Sequence, residues 1–190
     1  MIDEVEEKFA ETAQMIALNE RLRWACLGIR GVSVAWILWD WTVSLYIWSD
    51  RATMLDRLDR LYGLDTSSVS AGGYFGAAAM AVLSMTVATI FVGYLWRLVR
   101  VFLEGRVFSV DAADRMRDLA LAGVAATLVD VVVRPIGAAM LSTELLGKIP
   151  PYNWFAPHDL LYLLISGFVF ALGVIFRSAV QMADDHARIV

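Results

Sequence analysis

The stretch Thr127–Gly137, TLVDVVVRPIG, places an aspartate, an arginine and a proline inside a long run of alanine, leucine and valine. A charge at mid-bilayer costs at least roughly 2.5–3.5 kcal/mol, so charged residues in membrane helices face inward and pair. Pro135 lacks a backbone N–H and leaves the carbonyl of Val131 without its helical partner. The stretch therefore predicts a kinked, paired polar layer in an apolar helical protein.

The composition of the whole chain points to a membrane protein. The 190 residues are 59% hydrophobic, with a mean hydropathy of +0.61, whereas soluble domains are about 45–50% apolar. A helix needs roughly 20 apolar residues to cross a bilayer. Four blocks approach or exceed this length: 24–48, 74–96, 119–141 and 160–176. We expect an all-α polytopic membrane protein, with an acidic amphipathic cytoplasmic helix over 1–23 and four transmembrane helices in an up-and-down bundle over 24–190.

The distribution of lysine and arginine predicts the orientation, because cytoplasmic segments of membrane proteins are enriched in both. With four spans, the two tails and the middle loop share one side. They hold ten of these residues, against four in the other two loops. Both termini are therefore expected in the cytoplasm.

Local signals predict how the spans begin, end and pack. Gly105 should end the helix that contains the second span, and Ser109 or Asp111 should begin the next. A short helix around 54–62 is expected on the outer membrane surface, and Asp159 should cap the last span. Stripes of small residues allow close helix packing: Ala77, Ala81, Ser84 and Ala88, extended by Gly72 and Gly76; Gly123 with Thr127; Gly167 with Ala171.

Four ionisable residues lie within the predicted spans: Arg30, Asp40, Asp130 and Arg134. From the helical rise of 1.5 Å per residue, Asp40 lies about 24 Å beyond Trp24, and Arg134 about 22 Å beyond Leu119. We predict a cluster of Asp40, Arg134 and Asp130 with Arg30 on its cytoplasmic side. Indole donors come from Trp36, Trp39 and Trp41. One hypothesis is an ion-pair staple that fixes helix register, and the other is an ion or proton path.

The sequence lacks the common motifs of catalytic, phosphate-binding and metal-binding sites. No HExxH, phosphate-binding glycine loop, nucleophile elbow or Cys/His metal spacing occurs, and Cys26 is the single cysteine. We expect no catalytic residues, no metal, no cofactor and no enzymatic activity.

The middle loop and the tail carry a family resemblance. The segment 102–123, FLEGRVFSVDAADRMRDLALAG, and the tail 176–190, FRSAVQMADDHARIV, resemble the domain-of-unknown-function 2975 family of small bacterial inner-membrane proteins. The resemblance implies a four-span fold in the bacterial inner membrane and a cytoplasmic motif. The motif residues are Phe102, Gly105, Arg106, Phe108, Met116, Arg117 and Arg177.

The leading functional hypothesis is a non-enzymatic regulatory protein that binds a cytoplasmic partner through this loop and its tails. The family resemblance implies a helix-turn-helix regulator as that partner, and no direct contact with nucleic acid. The alternative is a small transporter or ion- or proton-conducting protein that uses Asp40, Asp130 and Arg134, working as a homo-oligomer in the lipid bilayer.

Overall fold

A computed structural model describes the backbone of residues 2–62, 69–141 and 155–189, and side chains within 20–61, 69–141 and 155–182. Over these ranges the chain is all-α, with no strand. The helices are α1 (Ile2–Ser49), α2 (Arg51–Tyr62), α3 (Ala71–Leu103), α4 (Val110–Leu141) and α5 (Pro157–Ile189). The side chains of the acidic segment 1–19, the Pro150–Trp154 loop and the tail beyond residue 182 lie outside the described residues.

Four of the described helices are long and apolar enough to cross a bilayer. They are Glu20–Ser49 of α1, Ala71–Leu103, Val110–Leu141 and Pro157–Met182 of α5, with mean hydropathies of 1.2 to 2.2. Only 11–28% of the residues in their most apolar windows are buried within the chain. Soluble proteins rarely expose apolar surface on this scale. The helices therefore indicate a multi-pass membrane protein.

Both helix boundaries at the middle loop follow local chemistry. α3 continues seven residues past the end of the predicted span to Leu103, and Gly105 follows with a positive φ of 75° that suits glycine. Ser109 Oγ accepts a hydrogen bond of 3.1 Å from the backbone N–H of Ala112, which caps the start of α4. The predicted break and the first of the two predicted starts are confirmed. α4 then continues through Pro135 to Leu141.

Neighbouring long helices run antiparallel, as the contacts between α1 and α3 illustrate. As the residue numbers rise along α1, the numbers of their hydrogen-bond partners on α3 fall. The three pairs are Trp96 Nε1 to Ser33 Oγ at 2.8 Å, Trp41 Nε1 to Thr89 Oγ1 at 3.1 Å, and Tyr74 Oη to the Trp48 carbonyl at 2.6 Å.

Glycines mark the closest approaches of α4 to its neighbours. A Cβ on Gly73 would overlap the backbone carbonyl of Met140, and one on Gly123 would overlap Ser166 Oγ. The Gly123 stripe is thus confirmed. The Gly167 stripe is wrong, because a Cβ on Gly167 would meet nothing within 4 Å. Gly173 makes the approach on α5, where its Cβ would lie 3.2 Å from the carbonyl of Ala113.

The helix α2 packs across one end of α3 and α4. Leu58 is buried in a cluster with Tyr74, Ala77, Ala138 and Leu141, and Met54 and Leu55 flank it. The side of α2 that carries Met54, Leu55 and Leu58 is therefore turned toward the protein and not toward lipid, while Leu61 is 67% exposed. We call this end of the molecule the α2 end, and the opposite one, where α3 meets α4, the Gly105 end.

The extensive helix interfaces are those of α3 with α4 and of α4 with α5, while α1 packs mainly on α3 and contacts α4 and α5 sparsely at most. The helices run up and down as expected, but the bundle is open along the side between α1 and the pair α4 and α5. Residues of α1, α3, α4 and α5 line a cavity of about 1200 Å³ there. We call this cavity the crevice.

Candidate functional site

Arg134 joins two carboxylates at the α2 end of the crevice. Its Nη1 and Nη2 atoms donate to the two oxygens of Asp159 at 2.8 and 2.9 Å. Nη2 also donates to Asp130, one helical turn earlier on α4. Asp159 is 1% exposed. The bidentate geometry gives the strong, oriented form of a charge pair, so Arg134 fixes α4 against the start of α5.

Further hydrogen bonds hold the two carboxylates in place. Ser84 Oγ on α3 donates to Asp130 at 3.0 Å. The backbone N–H of Ala156 donates to Asp159 Oδ2 at 2.7 Å. Asp159 therefore caps the start of α5 as the third residue of the helix, and not as the N-cap residue that the sequence predicted, because α5 begins two residues before it at Pro157. His158 Nε2 lies 3.4 Å from both Arg134 Nη2 and Asp159 Oδ1. The cluster thus draws on α3, α4 and α5.

The predicted pairing of Asp40 with Arg134 is wrong. Asp40 lines the same crevice as Asp130 and Arg134, but it forms no ion pair with any described residue. The indole of its neighbour Trp41 reaches Thr89 on α3, while Asp130 meets Ser84 on the same helix. Arg134 lies a further turn toward the α2 end, which places it about 15 Å from the level of Asp40 at 1.5 Å per residue. The prediction placed Asp40 and Arg134 at the same height because it counted residues from the start of each apolar block, and those starts are not level with each other.

Arg30 lies nearer the Gly105 end of the molecule than the Arg134 cluster does, because Ser33 on the same helix contacts Trp96 near the end of α3. Its Nε is buried with no hydrogen-bond partner in the described structure. Its backbone carbonyl accepts from Ser33 Oγ at 2.9 Å, which ties Arg30 to the Ser33–Trp96 contact.

The three tryptophans around Asp40 take different roles from the one predicted. Trp41 donates to Thr89 and not to Asp40, and Trp39 is 71% exposed on the outer face of α1. Only Trp36 lines the crevice beside Asp40. Because the two residues are four apart on one helix, they present an aromatic face and a carboxylate on the same side.

The walls of the crevice are mostly apolar. Along α3 it extends from Ala77 to Leu95, about 27 Å at 1.5 Å per residue, which approaches the 30 Å thickness of a hydrocarbon core. The small-residue stripe of α3 and α4 leaves room for a ligand. The charged lining residues are Asp40, Asp130, Arg134 and Asp159.

Sequence reasoning missed Asp159 as the main partner of Arg134 and interpreted it as a cap alone. The two residues are separated by 25 positions, and the segment 142–154 between them is not described. A usable signal existed: an arginine near the end of one span faces the first turn of the next antiparallel span. Ser84 was predicted only as a member of the small-residue stripe on α3, and not as a hydrogen-bond partner of Asp130.

The motif residues at the Gly105 end form a second cluster. The Phe108 and Phe176 rings stack at 5.4 Å, and Arg177 binds Asp114 at 2.8 Å. Met116 and Arg117 border Gly173, where α4 approaches α5. Phe102 is half-buried, and its carbonyl accepts from Gly105 N–H at 3.1 Å.

Charge pairs stabilise the turn between α3 and α4. Arg106 contacts Glu104, Asp111 lies 3.4 Å from Arg106, and Arg100 approaches Glu104 at 3.2 Å. The hydrogen bond from Arg106 lowers the pKa of Glu104, and the same bond raises the pKa of Arg106. These exposed pairs order the turn and contribute little to overall stability.

Within the described ranges, no three His, Cys, Asp or Glu side chains are grouped to hold a metal ion. No protein-family model matches this chain, and no match was found among curated proteins or solved structures.

Proposed function

We propose that this protein is a non-enzymatic membrane carrier that binds an amphipathic small molecule in the crevice. The observation behind the proposal is the crevice itself, which is about 1200 Å³ in volume, apolar along its walls and charged toward the α2 end. Ligand sites are commonly cavities of this kind, with a few convergent polar groups in apolar surroundings. Because α1 contacts α4 and α5 sparsely at most, a ligand can enter sideways from the bilayer.

In this proposal the four long helices cross a bacterial inner membrane with both termini in the cytoplasm. The Gly105 end gathers Arg97, Arg100, Arg106, Arg115 and Arg117 in and beside the middle loop. The positive-inside rule then puts this end in the cytoplasm and the α2 end outside. The family resemblance of the loop and tail supports the same arrangement.

Filling the crevice tests the proposal. Ala81 lines the crevice, while Ala79 on the same helix is exposed and does not. We expect Ala81→Trp in nanodiscs to weaken saturable binding of N-phenyl-1-naphthylamine, a neutral fluorescent lipophile, by about tenfold. Ala79→Trp should leave it unchanged. Equal binding by both variants and the wild type, above the signal of empty nanodiscs, would refute a crevice site.

Transport is tested separately from binding. Asp130 joins α3 to α4 through Ser84 and Arg134, so Asp130→Asn should change how the crevice opens. Reconstituted proteoliposomes should take up a crevice ligand, and Asp130→Asn should abolish that flux. Binding without flux in the wild type would reduce the function to a membrane receptor.

A second candidate function, the binding of a cytoplasmic protein, is favoured by one exposed aromatic group. Phe108 is 82% exposed although it stacks on Phe176, and exposed aromatic residues often anchor interfaces. A helix-turn-helix regulator is the partner that the family resemblance implies. Affinity capture from native membranes should lose a cytosolic protein in Phe108→Ala and keep it in Phe155→Ala, which alters the α2 end.

A further inference from the structure

The charges that line the crevice do not balance. Asp40, Asp130 and Asp159 contribute three negative charges and Arg134 one positive charge, which leaves −2 with all four ionised. Arg134 already contacts both Asp159 and Asp130. Asp40 therefore lines the crevice without an ion-pair partner among the described residues. A carboxylate in an apolar setting is costly unless a positive charge accompanies it.

The surroundings of Asp40 suit an organic cation. Trp36, one turn away on α1, lines the same wall, and the face of an indole attracts quaternary ammonium and related ions. Tyr162 on α5 lines the crevice nearer the Arg134 cluster, where its ring lies 5.7 Å from that of His158, and Ala81 and Ala88 on α3 leave space between the two regions. Aromatic faces, a carboxylate and a wide apolar channel together match a positive head group with an apolar body.

We propose that the crevice selects lipophilic cations and that Asp40 forms the ion pair with the positive group. This inference rests on the proposed ligand-binding function and names its ligand class. The crevice is anionic, so it disfavours an anion of the same size and shape through like-charge repulsion. A phospholipid, whose head group carries a phosphate, is disfavoured for the same reason.

A pair of isosteric ions tests the sign of the charge directly. Tetraphenylphosphonium and tetraphenylborate have the same shape and opposite charges. Equilibrium binding to the purified full chain in nanodiscs of neutral lipid, corrected for partition into empty nanodiscs, should give saturable phosphonium binding. Tetraphenylborate should bind at least about tenfold more weakly, because a charge in a low-dielectric site discriminates strongly by sign.

Two isosteric variants test the role of Asp40. Asp40→Asn removes the carboxylate inside the crevice, and Asp59→Asn makes the same change on the exposed surface of α2. We expect the phosphonium Kd to rise about tenfold in Asp40→Asn and less than twofold in Asp59→Asn. Asp40→Glu should restore most of the affinity. Size-exclusion and circular-dichroism profiles equal to the wild type establish that the variants are folded.

The outcomes separate this inference from the function on which it rests. Equal affinity for the two ions, or no effect of Asp40→Asn, overturns the cation assignment. The crevice function then still stands if Ala81→Trp blocks binding of either ion. A phospholipid that co-purifies with the wild type and is lost in Ala81→Trp also overturns the cation assignment. Failure of both ions and of the neutral lipophile to bind overturns both proposals.

Discussion

Arg134 is the residue on which the charged cluster depends. It forms an ion pair with Asp159, which is 1% exposed, and also donates to Asp130 on its own helix. A buried pair of this kind adds little over an apolar replacement of both partners, but removal of one partner leaves an uncompensated buried charge. Arg134 therefore lowers the energetic cost of holding the two aspartates inside the protein.

This argument predicts the effect of Arg134→Gln. We expect it to lower the free energy of unfolding by about 3–5 kcal/mol, because Asp159 stays buried without a counter-charge. Arg177→Gln, which removes the half-exposed pair with Asp114, should cost less than about 1 kcal/mol. Helicity during titration with SDS measures both values. Similar losses in the two variants would show that the Arg134 cluster is not energetically special.

At the residue level the sequence revealed which side chains matter better than how they pair. Arg134 with Asp130 follows from i, i+4 spacing on one helix, and the structure contains that pair. The pairing of Arg134 with Asp159 instead of Asp40 depends on the relative heights of three helices. Heights follow from packing and loop geometry, which a count of residues from the start of each apolar block does not contain.

Among the elements, α3 and α4 are held together by an approach that only glycine permits. A Cβ at Gly73 would overlap a backbone carbonyl, which cannot move aside as a side chain can. Gly73→Ala should therefore destabilise the protein by about 1–3 kcal/mol through overpacking. Gly167→Ala meets open space and should be neutral or stabilise by up to about 1 kcal/mol. SDS titration compares them, and equal effects would contradict the α3–α4 contact.

The turn between α3 and α4 makes a pH-dependent prediction. Because Arg106 lowers the folded-state pKa of Glu104, the stabilisation is present above the unfolded pKa of about 4.3 and is lost as the pH falls through the folded value. The stability difference between the wild type and Glu104→Gln should thus be constant from about pH 6 to 8, begin to fall near the unfolded pKa of about 4.3, and disappear once the pH is below the folded-state pKa of Glu104. If the stability difference between the two proteins grows as the pH falls, the result would contradict a stabilising pair of Glu104 and Arg106.

Hydropathy predicted the existence and order of the long helices because bilayer thickness and apolar length are linked. It underestimated their lengths, since α3 continues through a segment interrupted by Arg97 and Arg100, and α5 continues in a largely polar tail. The short helix α2 was anticipated from its apolar face, but its partner was not. The face of Met54, Leu55 and Leu58 is equally suited to lipid and to protein, and tertiary packing decides between them.

For the whole molecule, the main departure from expectation is the open side of the helix arrangement. We expected the four spans to pack as one bundle, with Asp40 on α1 paired to Arg134 on α4. Arg134 pairs with α5 instead, and α1 packs mainly on α3, where three side-chain hydrogen bonds join the two helices. The crevice that carries the proposed ligand site lies between α1 and the other three long helices.

The proposed orientation gives the last prediction, which concerns the molecule as a whole. Cys26 is the single cysteine and is 2% exposed, so Cys26→Ala supplies a clean background. Arg57→Cys adds a thiol on exposed α2, and Phe108→Cys adds one in the exposed turn at the Gly105 end. If the arginine-rich Gly105 end is cytoplasmic, a membrane-impermeant maleimide added to intact cells should label the first and spare the second until the cells are lysed. The reverse labelling pattern would show that the protein has the opposite orientation, with the charged end of the crevice on the cytoplasmic side. Labelling of both thiols in intact cells would contradict a four-span protein, because α2 and the turn at residue 108 must lie on opposite sides if α3 crosses the membrane once.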